Sequence, residues 1–277
     1  MIQIYTDDTL SYDSRLGGEY DLRGLKITTG VNKGGTAEIV LPPNHPAYDS
    51  FISYKTTVKI YKDSLLKFRG RVLYTSDDFY KQRTVLCEGE LCFLQDAVSR
   101  PYLYQDTPAN VFIEVIKNYN SQVANNRQFN PYALGITDSN NYIRLESETA
   151  EDVLTTINKL IERCGGHIYF RGDSDPRIIA WEGKDSYRSS QTIEFGENLL
   201  DFSSSGANTS LATAVLPYGA KDEETGERIT IESVNSGKDY LVDEEAKALR
   251  GFIIKPVYWD DVTVPANLLT KAAEWLG

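Results

Sequence analysis

Apolar and polar residues alternate with a period of two between residues 56 and 101, and this pattern predicts half-buried strands. The apolar positions on one face are Val58 and Ile60 in the first run, Leu66, Phe68 and Val72 in the second, and Val85 and Cys87 in the third. Turn residues separate the three runs at 62–64 and at 75–78. Three strands joined by tight turns predict an antiparallel meander with one side facing solvent.

The rest of the first hundred residues is also predicted to be β structure. One strand begins with Ile2 and Ile4, and another covers residues 22–27. The segment 32–35 predicts a hairpin turn, because its two glycines adopt positive φ angles easily. The inward positions of the strand after this turn are Ala37, Ile39 and Leu41. Six or more short strands of this kind are typical of a small antiparallel β-barrel.

Two helices are predicted between residues 101 and 192. Thr107 is a favourable N-cap, and Pro108 suits the first position of the helix that follows. The second helix is expected near the capping pattern of Thr149 and Asp152, and a pair of glycines ends it. A polar loop is expected between the helices and two short strands after the second, so this part is predicted to be α+β.

The last part of the chain returns to β structure. Strands are predicted at 193–195, 212–216, 228–233 and 252–259, and helices at 243–249 and 267–276. The last strand is expected at the edge of its sheet, because Pro256 cannot donate a ladder hydrogen bond.

The predicted fold class is α+β and mainly β, with small antiparallel β-barrel domains and an intervening α+β domain. The predicted domains are a first β-barrel at 1–100, an α+β domain at 101–192, an incomplete second barrel-like domain at 193–240 and a small α+β inserted segment at 241–277.

Composition and charge then narrow the classes of function. The chain has 277 residues and a net charge of −11, which disfavours tight binding to nucleic acid because the surface repels phosphate. The same charge is compatible with a channel through which DNA slides without specific binding. No apolar run reaches the length of a membrane-spanning helix, and the N-terminus lacks the features of a signal peptide. Synthesis in a cytoplasm is expected, with the three cysteines reduced.

Motifs of catalysis and of metal binding are absent from the sequence. There is no HExxH, no GxSxG and no P-loop, and the spacing of Cys87 and Cys92 does not suit zinc. Cys164 and His167 are close in sequence, but the cysteine lies on the apolar stripe of a predicted helix, so a core position is favoured over a catalytic pair. No catalytic residue, cofactor site or metal site is therefore predicted.

Paired carboxylates are candidate catalytic acids, because glycoside hydrolysis needs two of them across a cleft. Glu88 and Glu90 are interpreted as a solvated strand end. The pairs at 77–78 and 260–261 are interpreted as turn acids, and the acids at 222–224 as a solvated hairpin tip rather than a calcium loop.

Several motifs resemble those of one protein family. They are Ile60–Asp63, Phe68–Val72, Cys87–Leu94, Asn198–Asp201, Thr213–Ala220 and Val234–Tyr240. In this order they look like the N-terminal part of phage and prophage tail hub proteins, which are tail-tip proteins similar in fold to the baseplate hub of contractile-tailed phages. The motifs extend over most of the chain.

The resemblance implies a structural role in the virion tail tip. Hubs of this family are homotrimers in which each subunit supplies two similar barrels, so that three chains form a ring of six around an axial channel. The expected partners are the distal tail protein and the tape-measure protein, and DNA passes through the channel during ejection without specific binding. The expected mechanism is geometric and requires no catalytic residue.

Two other functions stay open, and so does the role of two arginines. The chain is alternatively a cell-wall hydrolase acting on peptidoglycan, or a module that binds a surface or a carbohydrate through exposed aromatic residues. Arg69 and Arg71 flank Gly70 and form either a solvated strand face or, in a ring of subunits, an intersubunit contact with acids of a neighbour. Tyrosines expected at domain or subunit edges are Tyr102, Tyr104, Tyr187, Tyr218 and Tyr240.

Overall fold

The structure, a computed structural model, describes residues 1–137, 142–172, 176–183, 192–199, 211–221 and 225–277. The chain divides into two compact units. The first comprises 1–136 and 145–187, and the second comprises 137–144 and 188–277. The fold is mainly β, as predicted.

Strands within the described residues are β1 (Ile2–Thr6), β2 (Thr9–Asp13), β3 (Gly24–Thr28), β4 (Thr36–Leu41), β5 (Thr57–Lys62), β6 (Leu65–Asp77), β7 (Arg83–Gly89), β8 (Val98–Ser99), β9 (Tyr102–Asp106), β10 (Phe129–Leu134), β11 (Ile143–Ser147), β12 (Glu151–Asp152), β13 (His167–Arg171), β14 (Arg177–Glu182), β15 (Ala214–Tyr218), β16 (Leu241–Val242) and β17 (Ile254–Tyr258). Helices are α1 (Pro108–Asn120), α2 (Val153–Cys164), α3 (Glu244–Arg250) and α4 (Pro265–Leu276). A 3-10 helix at Glu90–Asp96 follows β7.

The first unit begins with a curled antiparallel half-barrel of seven strands in the order β2-β1-β5-β6-β7-β4-β3. The predicted meander is confirmed, since β5, β6 and β7 are neighbours in this sheet. The concave side is apolar because alternate residues point inward. Its most deeply buried members include Ile4, Ala37, Ile39, Val58, Ile60, Val72, Val85 and Cys87. Burying each large apolar side chain stabilises the fold by roughly 1.5–3 kcal/mol, so this face holds the half-barrel together.

The second part of the first unit places α1 and α2 near a three-stranded sheet of order β10-β14-β13. The start of α1 is as predicted: the Thr107 side chain accepts a hydrogen bond from the backbone N–H of Asn110. The central strand β14 is buried along most of its length, and Trp181 packs against Phe112 of α1 with ring centroids 5.5 Å apart. Two-residue strands β8 and β12 pair with each other, and β9 pairs with β11.

The second unit contains a three-stranded sheet of order β16-β15-β17. Its edge strand β17 runs parallel to β15, in agreement with the edge position predicted from Pro256. The helix α3 starts at the N-cap Asp243 and ends at Gly251, where φ is +83°. A small core forms around Ile231, Val262 and Leu268.

Several elements differ from the predictions. The strand β2 was not predicted, and the polar loop expected after α1 contains β10, which pairs in parallel with the later strand β14. The strand predicted at Ile193 and Phe195 is wrong, because these exposed residues lead into a tight turn closed by a hydrogen bond from the backbone N–H of Leu199 to the carbonyl oxygen of Glu194. The strand predicted at 228–233 is also wrong, because no strand forms over these residues and the last two of them belong to a 3-10 helix at Glu232–Val234.

Candidate functional site

Arg71 on β6 is a buried charge at the centre of an ion-pair cluster. Its side chain is 6% exposed, and its Nε donates to Oε1 of Glu88 at 2.6 Å. The guanidinium is also bidentate to Asp96, with Nη2 donating to Oδ1 at 2.8 Å and Nη1 donating to Oδ2. Tyr54 and Phe93 present their rings to it, with centroids 5.0 and 5.1 Å from Cζ. Burial opposes the charge, but the hydrogen bonds to the two carboxylates outweigh it and raise the pKa of Arg71.

The β6–β7 pairing places these groups together. Arg71 lies opposite Glu88, and Gly70 lies opposite Gly89. A Cβ on Gly70 would be 2.0 Å from the carbonyl oxygen of Glu88, and one on Gly89 would be 1.8 Å from the carbonyl oxygen of Gly34. Glycine is therefore required at both positions for the backbones to approach this closely.

Arg69 belongs to a second group of buried charges next to the first. Its Nε lies 3.1 Å from Oε1 of Glu90, and Nη2 of Arg177 lies 3.0 Å from Oε2 of the same carboxylate. Glu90 is 4% exposed, so one buried carboxylate bridges β6 of the half-barrel and β14 of the α+β part. A buried carboxylate needs such partners, because an unpaired charge is costly to remove from water.

The two groups together join the half-barrel to the α+β part of the first unit. Besides the bridge through Glu90, Asp96 lies 3.5 Å from Nη1 of Arg127, which precedes β10. The ring of Phe93 is close to both guanidinium groups, with Cζ of Arg71 and of Arg127 at 5.1 and 4.9 Å from its centroid. We call Arg69, Arg71, Glu88, Glu90, Asp96, Arg127 and Arg177 the charged cluster.

The interpretation of Glu88 and Glu90 as a solvated strand end is wrong. Glu88 is held by Arg71, and Glu90 is held by Arg69 and Arg177. All three arginines are well separated from these acids in the sequence, so the spacing of the acids alone does not reveal the pairing. Arg69 and Arg71 are not a solvated face either, since their side chains are 12% and 6% exposed and pair with acids of their own chain. Their predicted intersubunit contact stays a prediction.

Of the remaining candidate acids, Asp77 is the last residue of β6 and not a turn acid as predicted, Asp260 lies at a turn, and the acids at 222–224 are outside the described residues. Asp77 pairs with Arg83, whose guanidinium holds the pKa of Asp77 below its usual range. Asp260 pairs with Arg228 within the second unit. The acids at 222–224 lie outside the described residues, so their predicted hairpin tip is not seen.

The cysteines and the histidine that were weighed as reactive groups lie on separate elements of the first unit. Cys87 is fully buried, and burial raises the pKa of its thiol to about 12, which disfavours the reactive thiolate. Cys164 ends α2 and His167 begins β13, so the two are on different elements. Among the described residues, no group of three or more His, Cys, Asp or Glu is placed to hold a metal ion. None of the described helices is long and apolar enough to span a membrane.

The tyrosines expected at domain or subunit edges make ring contacts within their own units. Tyr102 and Tyr104 stack with centroids 4.8 Å apart, and the Tyr102 hydroxyl donates to Glu151. Tyr218 stacks on Tyr258 at 5.3 Å. Tyr240 meets Phe252 edge to face at 6.0 Å. Tyr187 lies outside the described residues, and a role of these tyrosines in assembly stays a prediction.

One exposed feature was missed by the sequence reasoning. The strand β6 continues through 75–77, where a turn was expected, and the hairpin instead turns at 78–82. This places Phe79 and Tyr80 at the tip, 91% and 74% exposed. The sequence signal for this exposed tip is the Phe-Tyr pair directly after Asp77 and Asp78, because large apolar residues are unusual at a turn.

Comparison with known proteins gives likeness in fold. No family model and no curated protein matches the chain. Prophage tail protein gp18 from Listeria monocytogenes EGD-e is 17% identical with a TM-score of 0.61, over 99% of this chain and 76% of that one. The tail protein from Neisseria meningitidis MC58 is 10% identical with a TM-score of 0.62, over 99% and 75%. The 43 kDa tail protein of prophage MuSo2 from Shewanella oneidensis is 11% identical with a TM-score of 0.61, over 98% and 76%.

These three structures confirm the predicted resemblance at the level of fold. The chain shares the fold of prophage and other tail proteins along nearly its whole length, although so few residues are identical.

Proposed function

We propose that this chain is a structural component of a phage tail tip. It forms a homotrimeric hub ring around an axial channel, which connects the tail tube to the tip and lets DNA pass. The observation that carries the proposal is the fold shared with three tail proteins over at least 98% of this chain. The proposed partners are the distal tail protein and the tape-measure protein, and the proposed location is the tail tip of a virion assembled in a bacterial cytoplasm.

The charged cluster supports a mechanical role for the first unit. A hub has to keep its shape while neighbouring subunits and the tail tube act on it. Bidentate arginine–carboxylate pairs fix the orientation of both groups, and buried charges tolerate little displacement because a lost partner leaves an uncompensated charge. The cluster therefore ties the half-barrel to the α+β part as one stiff body.

The same geometry supports a structural role over a hydrolytic one. A glycoside hydrolase needs two carboxyl groups facing a substrate cleft. Glu88 and Glu90 are instead buried against arginines of their own chain. The net charge of −11 supports passage of DNA without adhesion, because a negative channel surface repels phosphate.

The solution mass tests this proposal. Light scattering behind a sizing column, over a range of concentrations, is expected to give about three times the 31.2 kDa of one chain. Electron microscopy of that species is then expected to show a ring with a central opening. A monomer at every concentration, for this chain and for any longer form of it, would exclude the trimeric hub. Turnover of purified peptidoglycan would favour the cell-wall hydrolase instead.

A further inference from the structure

The tip of the β6–β7 hairpin presents two aromatic side chains to solvent. Phe79 and Tyr80 are 91% and 74% exposed, more than the other exposed rings among the described residues of the first unit. Their ring centroids are 5.3 Å apart with an interplanar angle of 87°, an edge-to-face pair that is already formed in the free chain. Most of the surface of the two side chains is therefore available for burial by a partner.

The tip is held rigidly, although it is exposed. The backbone N–H of Lys81 donates to the carbonyl oxygen of Asp78 at 3.1 Å, and Oδ1 of Asp78 accepts from the backbone N–H of Gln82 at 2.8 Å. Lys81 has φ of +58°, a conformation that glycine normally occupies after such a turn.

Contacts from outside the hairpin fix its base. The hydroxyl of Tyr48 donates to the carbonyl oxygen of Lys81 at 2.9 Å. Arg83 lies over the Tyr48 ring, 3.9 Å from the centroid, and its Nε and Nη2 donate to the two oxygens of Asp77 at 2.8 and 3.0 Å. A rigid aromatic tip loses little conformational entropy on binding, which is the property of an interface anchor.

We propose that Phe79 and Tyr80 dock into an apolar site on a second copy of this chain. This inference rests on the homotrimer of the proposed function, and it identifies the anchor of the contact between subunits. The area supports a repeated self-contact. Two aromatic side chains bury roughly 300–500 Å² together, whereas one side of a stable interface needs about 800 Å². The tip alone would hold a separate partner weakly, but a closed ring repeats the contact in every subunit and adds the surface around it.

The charge also favours this contact between copies. Each copy carries a net charge of −11, so two copies repel each other over most of their surface. Residues 77–83 contain two acids and two bases, so the tip is locally neutral as well as apolar. Copies of a strongly acidic chain approach at lower electrostatic cost through a locally neutral patch than through an acidic one.

Light scattering of a double variant tests the inference. Phe79→Ser with Tyr80→Ser removes both rings, and Leu65→Ser is the matched control, because Leu65 is 62% exposed at the opposite end of β6. We expect the wild type and the control to be trimers, and the double variant to need at least tenfold higher concentration to assemble. Thermal melting at a concentration low enough for all the proteins to be monomers is expected to be the same in both variants as in the wild type, since all three side chains are exposed in the free chain.

The oligomeric states of the wild type and the double variant together distinguish failure of the inference from failure of the proposed function. A double variant that assembles like the wild type would overturn the docking of the tip and leave the trimeric hub standing. A wild type that is monomeric at every concentration would overturn both. Photo-crosslinking through Phe79→p-benzoylphenylalanine provides an independent readout: a product of twice the chain mass supports the inference. Crosslinks that form only within one chain, only to added glycan, or not at all overturn it.

Discussion

Asn32 and Ile168 are 136 positions apart in the sequence, and Oδ1 of Asn32 accepts a hydrogen bond from the backbone N–H of Ile168 at 2.8 Å. Nδ2 of the same side chain donates to the carbonyl oxygen of Gly166 at 3.2 Å. Asn32 has φ of +57°, a left-handed conformation that asparagine tolerates better than most residues. One amide thus fastens the β3–β4 loop to the start of β13 with the hydrogen bonds that a neighbouring strand would supply.

Replacing Asn32 is expected to loosen this connection. Asn32→Gly keeps the left-handed backbone but removes both hydrogen bonds, and we expect the free energy of unfolding to fall by about 1–3 kcal/mol in urea titrations. Asn32→Asp keeps the acceptor for Ile168 but places a carboxylate near the carbonyl oxygen of Gly166, which repels it. The free energy of unfolding should therefore fall in Asn32→Asp by at least half as much as in Asn32→Gly. Both variants matching the wild type within error would show that the two hydrogen bonds contribute nothing.

Arg71 is expected to be the most sensitive member of the charged cluster. Arg71→Met removes the partner that Glu88 and Asp96 share, and leaves two carboxylates without their main counter-charge. Removing one partner of a buried ion pair costs about 3–5 kcal/mol, which urea titration measures directly. Lys117→Met is the control, since Lys117 and Glu114 are more than half exposed and 3.7 Å apart. Equal losses in the two variants would contradict a stabilising role of the cluster.

Local patterns predicted much of this fold. The period of two in β5, β6 and β7 placed the meander and its inward residues correctly, because a half-buried sheet requires that alternation. The start of α1 followed from Thr107 and Pro108, whose side chains act within one turn of the helix. The second helix was placed with less accuracy: its N-cap is Asp152, whose side chain accepts from the backbone N–H of Thr155, so Thr149 lies before the helix.

Features that depend on distant residues were missed. The strand β10 contains an asparagine and a proline and is a strand because β14, more than forty residues later, supplies its ladder. From the sequence alone Glu90 is interpreted as a solvated acid, because only the folded chain places Arg69 and Arg177 at its two carboxylate oxygens. The sequence identified Arg69 and Arg71 as unusual, but an alternating pattern does not distinguish a solvated charge from one buried beside its partner.

Gly89 tests how closely the backbones must approach beside the cluster. Gly89→Ala would place a methyl group 1.8 Å from the carbonyl oxygen of Gly34, so the β7 end and the β3–β4 loop have to separate. Overpacking of this kind costs typically about 1–3 kcal/mol, and a lower thermal midpoint should accompany it. Gly17→Ala is the matched control, because nothing lies within 4 Å of the added Cβ. If Gly89→Ala melts like Gly17→Ala, the close approach is not required.

His45 gives the fold a dependence on pH near neutrality. It is 3% exposed, its Nδ1 accepts a hydrogen bond from the backbone N–H of Ala47 at 3.1 Å, and its ring meets Tyr20 edge to face. Burial lowers the pKa of His45 below its ordinary value of 6.5. The unfolded chain therefore takes up a proton at a higher pH than the folded chain, so stability is lost as the pH falls below about 6.5.

The measurement is the free energy of unfolding in urea at pH 7.5 and at pH 5.5. Linkage limits the loss of unfolding free energy that one histidine causes over this pH interval to about 1.4 kcal/mol. His45→Asn retains an acceptor for the backbone N–H of Ala47 and should remove this loss. His167→Gln is the control and should keep the full loss. Ion-paired carboxylates such as Asp77, whose pKa lies below its usual range, are ionised in both states at both pH values and cancel from the comparison. A loss on acidification that is the same in His45→Asn and in the wild type would assign the pH dependence to other groups.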